Sequence, residues 1–199
     1  MSFFQELINT LSTMSAWEFV AVFLSIAYLL LAMRQSLWCW VAAFFSTLIY
    51  AILFFDAALL MDSVLNIYYL FMAVYGWYSW RFGNKNDENL HPSSWKISLH
   101  VKIILILGLI SLAFGYIMDN YTHADFAYLD SATTVFAIFT TYMLAKKILE
   151  NWIYWIVIDA VSIYIYIEKS FYLTALLFCL YTILAFIAYL QWKRELALG

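Results

Sequence analysis

The chain has 199 residues, of which 66% are hydrophobic and only 12% are charged. Soluble domains carry about 25% charged residues, so this composition excludes a water-exposed globular protein and indicates one that lies in the lipid bilayer. The net charge of −3, without a basic stripe, gives no support to nucleic-acid binding. Cys39 and Cys179 lie in apolar runs, which favours core residues over a disulfide or metal pair. No cofactor-binding motif is present in the sequence.

Seven mostly apolar runs are long enough to cross a bilayer, since a spanning helix needs about 20 such residues. Their predicted bounds are 17–33, 37–55, 57–80, 101–118, 129–145, 150–167 and 171–192. Residues 1–16 place apolar side chains at helical spacing, which predicts an amphipathic helix on the membrane surface. The predicted fold class is an all-α polytopic membrane protein with seven transmembrane helices.

An internal repeat relates the two halves of the chain. A shift of 112 residues without gaps superposes residues of like kind, among them Trp40 on Trp152, Tyr69 on Tyr181 and Trp80 on Trp192. This match predicts two three-helix units in the same orientation with one helix between them, a 3+1+3 parallel repeat like that of the SWEET sugar facilitators. The predicted parts are the surface helix 1–16, a first bundle 17–80, a segment 81–127 with the linker helix and two loops, a second bundle 128–192 and a cytoplasmic tail 193–199.

The positive charges predict the orientation. Nine of the ten Lys and Arg residues fall on the side shared by the first, third and fifth loops and the C-terminus, and only Lys169 falls on the other. Because positive loops stay in the cytoplasm, we expect the N-terminus outside and the C-terminus inside a bacterial inner membrane.

Trp152, Trp155 and Asp159 point to one face of the sixth span, because positions i, i+3 or i+4 and i+7 are neighbours on a helix. A carboxylate at mid-membrane costs about 2.5–3.5 kcal/mol and normally faces a cavity or a partner. Together with two indoles it suits a flat cationic ligand. The alternatives are a structural hydrogen bond from Asp159 to a neighbouring Thr or Tyr, and a membrane-interface position for Trp152.

Four weaker candidates complete the predicted substrate site. Asn66 and Tyr69 share a face of the third span, where a buried amide needs a ligand or another helix as partner. Thr140 lies in the fifth span, although Thr often bonds its own helix backbone, and Tyr181 is one of sixteen tyrosines. Catalytic, metal and cofactor sites are not predicted, so the chain is not expected to be an enzyme.

The chain resembles the PnuC family of bacterial vitamin transporters. The resemblance is carried by a W-x-x-W-x-x-x-[N/D] motif at Trp152, Trp155 and Asp159, and by the stretches 75–80 and 129–131. It implies seven core helices in a 3+1+3 arrangement, a homotrimer, and facilitated diffusion of an unphosphorylated vitamin that a cytoplasmic kinase then traps. Nicotinamide riboside is the usual family ligand, and a thiamine-transporting branch exists.

Asp159 stands where many nicotinamide riboside carriers have Asn. A carboxylate can accept a hydrogen bond from the aminopyrimidine of thiamine, so the sequence favours thiamine, with nicotinamide riboside as the alternative. A membrane protein that binds the vitamin without transporting it is the alternative of another class. A phosphorylated ligand is expected to be rejected, because no intramembrane Lys or Arg is evident to meet phosphate.

Overall fold

The computed structural model describes residues 13–56, 60–83, 90–122, 125–169 and 171–198. Most of the predicted surface helix 1–16, and the polar segment 84–89, lie outside the described residues. Within the described ranges the chain forms seven α-helices. They are α1 Ala16–Met33, α2 Trp38–Asp56, α3 Leu60–Phe82, α4 Ile97–Tyr121, α5 Ala127–Ala145, α6 Asn151–Glu168 and α7 Tyr172–Leu198.

The predicted spans and the observed helices agree closely. Helix α4 is longer than predicted at both ends, and α7 continues through the polar residues Lys193 and Arg194 to Leu198. Local chemistry explains where α1 begins: the Ser15 hydroxyl accepts from the Glu18 N–H at 3.1 Å, and the Glu18 carboxylate accepts from the Ser15 N–H at 2.7 Å. This reciprocal capping box satisfies two backbone donors that the helix itself leaves open.

Among the described residues, four segments are long and apolar enough to cross a membrane: α1, α2, α4 and residues 174–198 of α7. The other three helices are α3, α5 and α6, and each carries polar side chains along its length. Six of the seven residues predicted to bind substrate lie on these three helices. A polar residue in a spanning helix normally faces the protein interior, so this division supports an inward position for the candidate residues.

The chain divides into two compact units. The first consists of Met1–His91 with Ala145–Lys147 and contains α1 to α3; the second consists of Pro92–Leu144 with Ile148–Gly199 and contains α4 to α7. Helix α4 therefore belongs to the same unit as the second predicted bundle. In that unit a Cβ added to Gly115 would collide with the Tyr128 ring, and Ser131 Oγ lies 3.2 Å from Met118 Sδ. The glycine is what lets α4 and α5 approach each other so closely.

The two units repeat one aromatic contact. In the first unit the rings of Trp40 and Trp80 meet edge to face, with centroids 5.3 Å apart and an interplanar angle of 84°. In the second unit Trp152 and Trp192 meet in the same way, at 5.4 Å and 86°. Each pair joins the second and third helices of its bundle. These are the pairs that the 112-residue shift superposes, so the geometry supports the predicted duplication of a three-helix unit.

The turns before α2 and α6 also match. Gln35 has φ 53° and Lys147 has φ 51°, and both are in the left-handed region, which residues with a Cβ seldom adopt. The two positions are again 112 residues apart. Lys147 is buried; its Nζ donates to Gln35 Oε1 at 2.9 Å and lies 4.5 Å from the centroid of the Trp80 ring. A hydrogen-bond acceptor and an aromatic face thus compensate the buried ammonium group.

Candidate functional site

Asp159 is a buried carboxylate in the middle of α6. The residue is 3% exposed, and no described residue gives it a hydrogen bond or an ion pair. A carboxylate that is withdrawn from water without compensation is costly. Buried polar groups of this kind call for an explanation, and a contact with a bound substrate is one. Asp159 is therefore the strongest candidate contact for a polar or cationic ligand.

The hydroxyl groups of Thr140 and Thr141 on α5 do not act as the structural hydrogen-bond partner of Asp159. Thr140 Oγ1 donates to the Phe136 carbonyl at 2.7 Å, and Thr141 Oγ1 donates to the Ala137 carbonyl at 2.8 Å. Both hydroxyls thus bond their own helix, as Thr commonly does in helices. Thr140 is fully buried, so its predicted role as a ligand contact has no support from exposure.

Trp155 is the aromatic neighbour of Asp159 on α6. It precedes Asp159 by four residues, so the two side chains lie one above the other on the same helix face. The indole is half-buried and packs against a core cluster that includes Ala137 of α5 and Ile158 of α6. It therefore has a fixed side that packs on the cluster and a part left uncovered. That arrangement suits an aromatic surface against which a flat ligand can stack.

Trp152 has a different environment from the other members of its predicted motif. It is 1% exposed and held edge to face against Trp192, and its Nε1 has no hydrogen-bond partner among the described residues. Trp40 repeats all of these features in the first unit, with Trp80 as its neighbour. A contact present in both copies of the repeat cannot be specific to a site built around Asp159. The geometry therefore favours packing as the role of Trp152.

The remaining predicted residues lie elsewhere. Asn66 is half-buried, and its Nδ2 donates to the Asp62 carbonyl at 2.9 Å, one turn earlier in α3. The Tyr69 ring contacts the Tyr68 ring, with centroids 5.6 Å apart. Both residues belong to the first unit, whereas Asp159 belongs to the second. Tyr181 on α7 contacts the Phe178 ring at 5.8 Å. These contacts do not test ligand binding, so the roles of Asn66, Tyr69 and Tyr181 stay predictions.

One polar cluster was not foreseen. His100, near the start of α4, lies between Tyr154 and Glu150, with His100 Nδ1 3.1 Å from the Tyr154 hydroxyl. The sequence places His100 beside a loop and at no metal-ligand spacing, and its partners Glu150 and Tyr154 are 50 and 54 positions away. The sequence did contain one relevant pattern: Glu150 and Tyr154 are one helical turn apart, which places their polar groups on the same face of α6. Groups of three or more residues that could hold a metal ion are absent from the described part of the chain.

Comparisons with known proteins assign this chain to a family. The family model described as "Nicotinamide mononucleotide transporter" matches residues 15–194. The "Nicotinamide riboside transporter PnuC" of Escherichia coli (strain K12) is 26% identical in an alignment 165 residues long, with 70% of this chain and 68% of the relative covered, and that of Shigella flexneri matches to the same extent. The solved "Crystal structure of the Vitamin B3 transporter PnuC" superposes with a TM-score of 0.74 at 16% identity, covering 96% of this chain and 86% of that one. The chain belongs to the nicotinamide mononucleotide transporter family and is a membrane transporter of the PnuC type.

Proposed function

We propose that this protein is a facilitator that carries unphosphorylated nicotinamide riboside across the bacterial inner membrane. The observation that carries the proposal is the buried, unpartnered carboxylate of Asp159 beside Trp155 in a chain whose curated relatives are named nicotinamide riboside transporters. The preference for thiamine expected from Asp159 is not supported by these relatives, and the alternative, nicotinamide riboside, fits them better.

The chemistry of nicotinamide riboside suits the pair of side chains. Its pyridinium ring is flat and positively charged, so it can stack on the Trp155 indole, a contact worth about 0.5–2 kcal/mol. The Asp159 carboxylate can attract the ring charge, or accept hydrogen bonds from the carboxamide or the ribose hydroxyls. An acid at this position therefore serves the riboside as well as an amide would, and it adds a charge that favours the cation.

A phosphate on the ligand would be poorly accommodated. The helix that carries Trp155 and Asp159 contains no Lys or Arg, and neither do α1, α2 and α5. A dianionic phosphate brought near Asp159 would meet a like charge without a compensating cation. The family description names the mononucleotide, but the side chains support the riboside. A cytoplasmic kinase would then trap the imported vitamin, and uptake would need no coupled energy source.

The predicted orientation and assembly complete the proposal. The charge distribution supports an external N-terminus and a cytoplasmic C-terminus. The family resemblance supports a homotrimer, and the repeated tryptophan pairs support the 3+1+3 arrangement of helices. Asn66, Tyr69 and Tyr181 stay in the proposed ligand path as secondary contacts.

Uptake into proteoliposomes tests the proposal. Purified protein should give saturable uptake of labelled nicotinamide riboside, little uptake of nicotinamide mononucleotide or thiamine, and no change of rate with an imposed pH gradient. A thermal-shift measurement with the same three compounds separates binding from flux. Stabilisation by the riboside without uptake would favour the non-transporting alternative. Equal uptake of the mononucleotide would overturn the assignment of the unphosphorylated substrate.

A further inference from the structure

A buried polar network lies at the N-terminal start of α6, separate from Asp159. His100 stands between two residues of the α6 region: its Nδ1 is 3.1 Å from the Tyr154 hydroxyl, and its Nε2 is 3.6 Å from Glu150 Oε2. His100 and Tyr154 are 5% and 8% exposed. Glu150 and Tyr154 are one helical turn apart, so one imidazole contacts the first turn of α6 at two points.

Glu150 has further donors besides His100. The Ser94 hydroxyl donates to its Oε1, and the Trp95 N–H donates to its Oε2 at 3.3 Å. The adjacent Leu149 N–H donates to the Ser93 carbonyl at 2.8 Å. Because both carboxylate oxygens already have donors, Glu150 is poorly suited to receive a ligand. Its contacts instead tie the segment before α4 to the residue where α6 begins.

Tyr154 connects this network to the candidate site. It directly precedes Trp155, and its ring lies 6.3 Å from the Phe136 ring of α5. Tyr154 and Ile158 belong to the core cluster against which Trp155 packs. A helix held at two points of its first turn resists rotation about its own axis. Any such rotation would turn Trp155 and Asp159 away from the direction in which they now point.

The internal repeat shows that the network has no counterpart at the corresponding positions of the first bundle. The positions of the first bundle that correspond to Glu150 and Tyr154 are Trp38 and Ala42, which cannot form a hydrogen-bonded network of this kind. The network is therefore specific to the bundle that carries Asp159. We propose that His100, Glu150 and Tyr154 are positioning residues that fix the rotation of α6 and thereby set the affinity for nicotinamide riboside. This inference rests on the proposed function.

Substitutions at His100 and Tyr154 test the inference through the kinetics of riboside uptake in proteoliposomes. Tyr154→Phe removes only the hydroxyl and should raise the half-saturation concentration about fivefold, with the maximal rate within about twofold, since one net hydrogen bond is worth about 1 kcal/mol. His100→Asn keeps an amide near the Nδ1 position that can donate or accept a hydrogen bond, and it should retain affinity better than His100→Leu. Tyr116→Phe, on an exposed tyrosine of α4, is the matched control and should change neither value.

Two outcomes would overturn the inference: a lower maximal rate with unchanged half-saturation in Tyr154→Phe, or equal losses in His100→Asn and His100→Leu. Hydrogen exchange of the α6 amides in the ligand-free protein gives a readout that does not depend on transport. Exchange over 153–159 should be several-fold faster in Tyr154→Phe than in Tyr116→Phe, and equal rates would also overturn it. Absence of riboside uptake by the unsubstituted protein would overturn the proposed function instead, leaving the exchange comparison to judge the positioning role.

Discussion

The two three-helix bundles share a pair of packed tryptophans and differ at the positions of the candidate ligand site. Trp40 with Trp80, and Trp152 with Trp192, meet in nearly identical geometry. The residues that correspond to Trp155 and Asp159, however, are Ala43 and Thr47. The matching tryptophan pairs fit a role in helix packing, and Trp155 and Asp159, which have no counterpart of like kind in the first bundle, are the candidate ligand contacts.

Thr47 and Asp159 occupy corresponding positions in the two bundles but differ in their hydrogen bonds. Thr47 Oγ1 donates to the carbonyl oxygens of Ala43 and Phe44, at 2.8 and 3.2 Å. Its polar group is satisfied within α2. Asp159 has no such partner among the described residues, although it is almost fully buried. A self-satisfied hydroxyl costs little in a membrane, whereas an uncompensated carboxylate is retained at a cost in stability. This asymmetry between the bundles favours Asp159 over Thr47 as the candidate ligand contact.

The contact between the first and second helices of each bundle differs as well. In the first unit the Ser25 and Ser46 hydroxyls are 2.7 Å apart, and each lies 3.0 Å from the Ala21 carbonyl oxygen. In the second unit the corresponding residues are Ala137 and Ile158, which belong to the apolar core cluster. One bundle joins these helices by hydrogen bonds and the other by apolar packing, on which Trp155 also rests.

The largest expected effect comes from replacing the diverged acid. Asp159→Ala should raise the half-saturation concentration for nicotinamide riboside about 10- to 100-fold, because hydrogen bonds to charged groups are worth about 1.5–3 kcal/mol. Uptake kinetics in proteoliposomes measure the change. Thr47→Ala, at the corresponding position of the first bundle, is the control and should leave uptake almost unchanged. Similar losses in both variants would show that the bundles do not differ in function as proposed.

Removal of the indole beside Asp159 should have the next largest effect. Trp155→Ala should raise half-saturation about tenfold, within the range expected for loss of a contact between a cation and an aromatic face. Trp155→Phe keeps an aromatic face and should lose less. Quenching of protein fluorescence by the riboside gives a direct binding measurement. Equal affinity in Trp155→Ala and the unsubstituted protein would remove Trp155 from the site.

Hydropathy and the internal repeat predicted the seven helices well. The features that they missed depend on contacts between residues far apart in the sequence. The helix bounds follow from apolar runs, and the 112-residue shift relates the tryptophans that the structure shows in two matching pairs. The burial of Trp152 against Trp192 could not be predicted from its motif, because it depends on two helices packing together, and its substrate-binding role stays a prediction. The contact of His100 with Tyr154 joins residues 54 positions apart and leaves no local pattern. The choice of substrate could not be predicted from Asp159 alone, because a carboxylate can bind either thiamine or nicotinamide riboside.

Substitution of one tryptophan in each pair tests whether the pairs contribute to helix packing or to ligand binding. Trp152→Phe and Trp40→Phe should each lower the free energy of unfolding by about 1 kcal/mol, because a smaller ring leaves a cavity and weakens an edge-to-face contact. Thermal unfolding in detergent would show similar shifts for both variants. If Trp152→Phe instead raised half-saturation for the riboside tenfold more than Trp40→Phe, Trp152 would belong to the ligand site as its motif predicted.

The smallest expected effect concerns the hydrogen-bonded contact of the first bundle. Ser46→Ala removes the bond to Ser25, and interhelical hydrogen bonds in membranes average about 0.6 kcal/mol, so the unfolding midpoint should fall only slightly. Riboside half-saturation should not change, since this contact lies in the bundle without the acid. Ile158→Ala, at the corresponding position of the second bundle, should lower stability more and also weaken binding, because Ile158 belongs to the cluster that supports Trp155. A loss of affinity in Ser46→Ala equal to that in Ile158→Ala would mean that the contact between Ser25 and Ser46 supports ligand binding as much as the cluster around Trp155 does, contrary to this prediction.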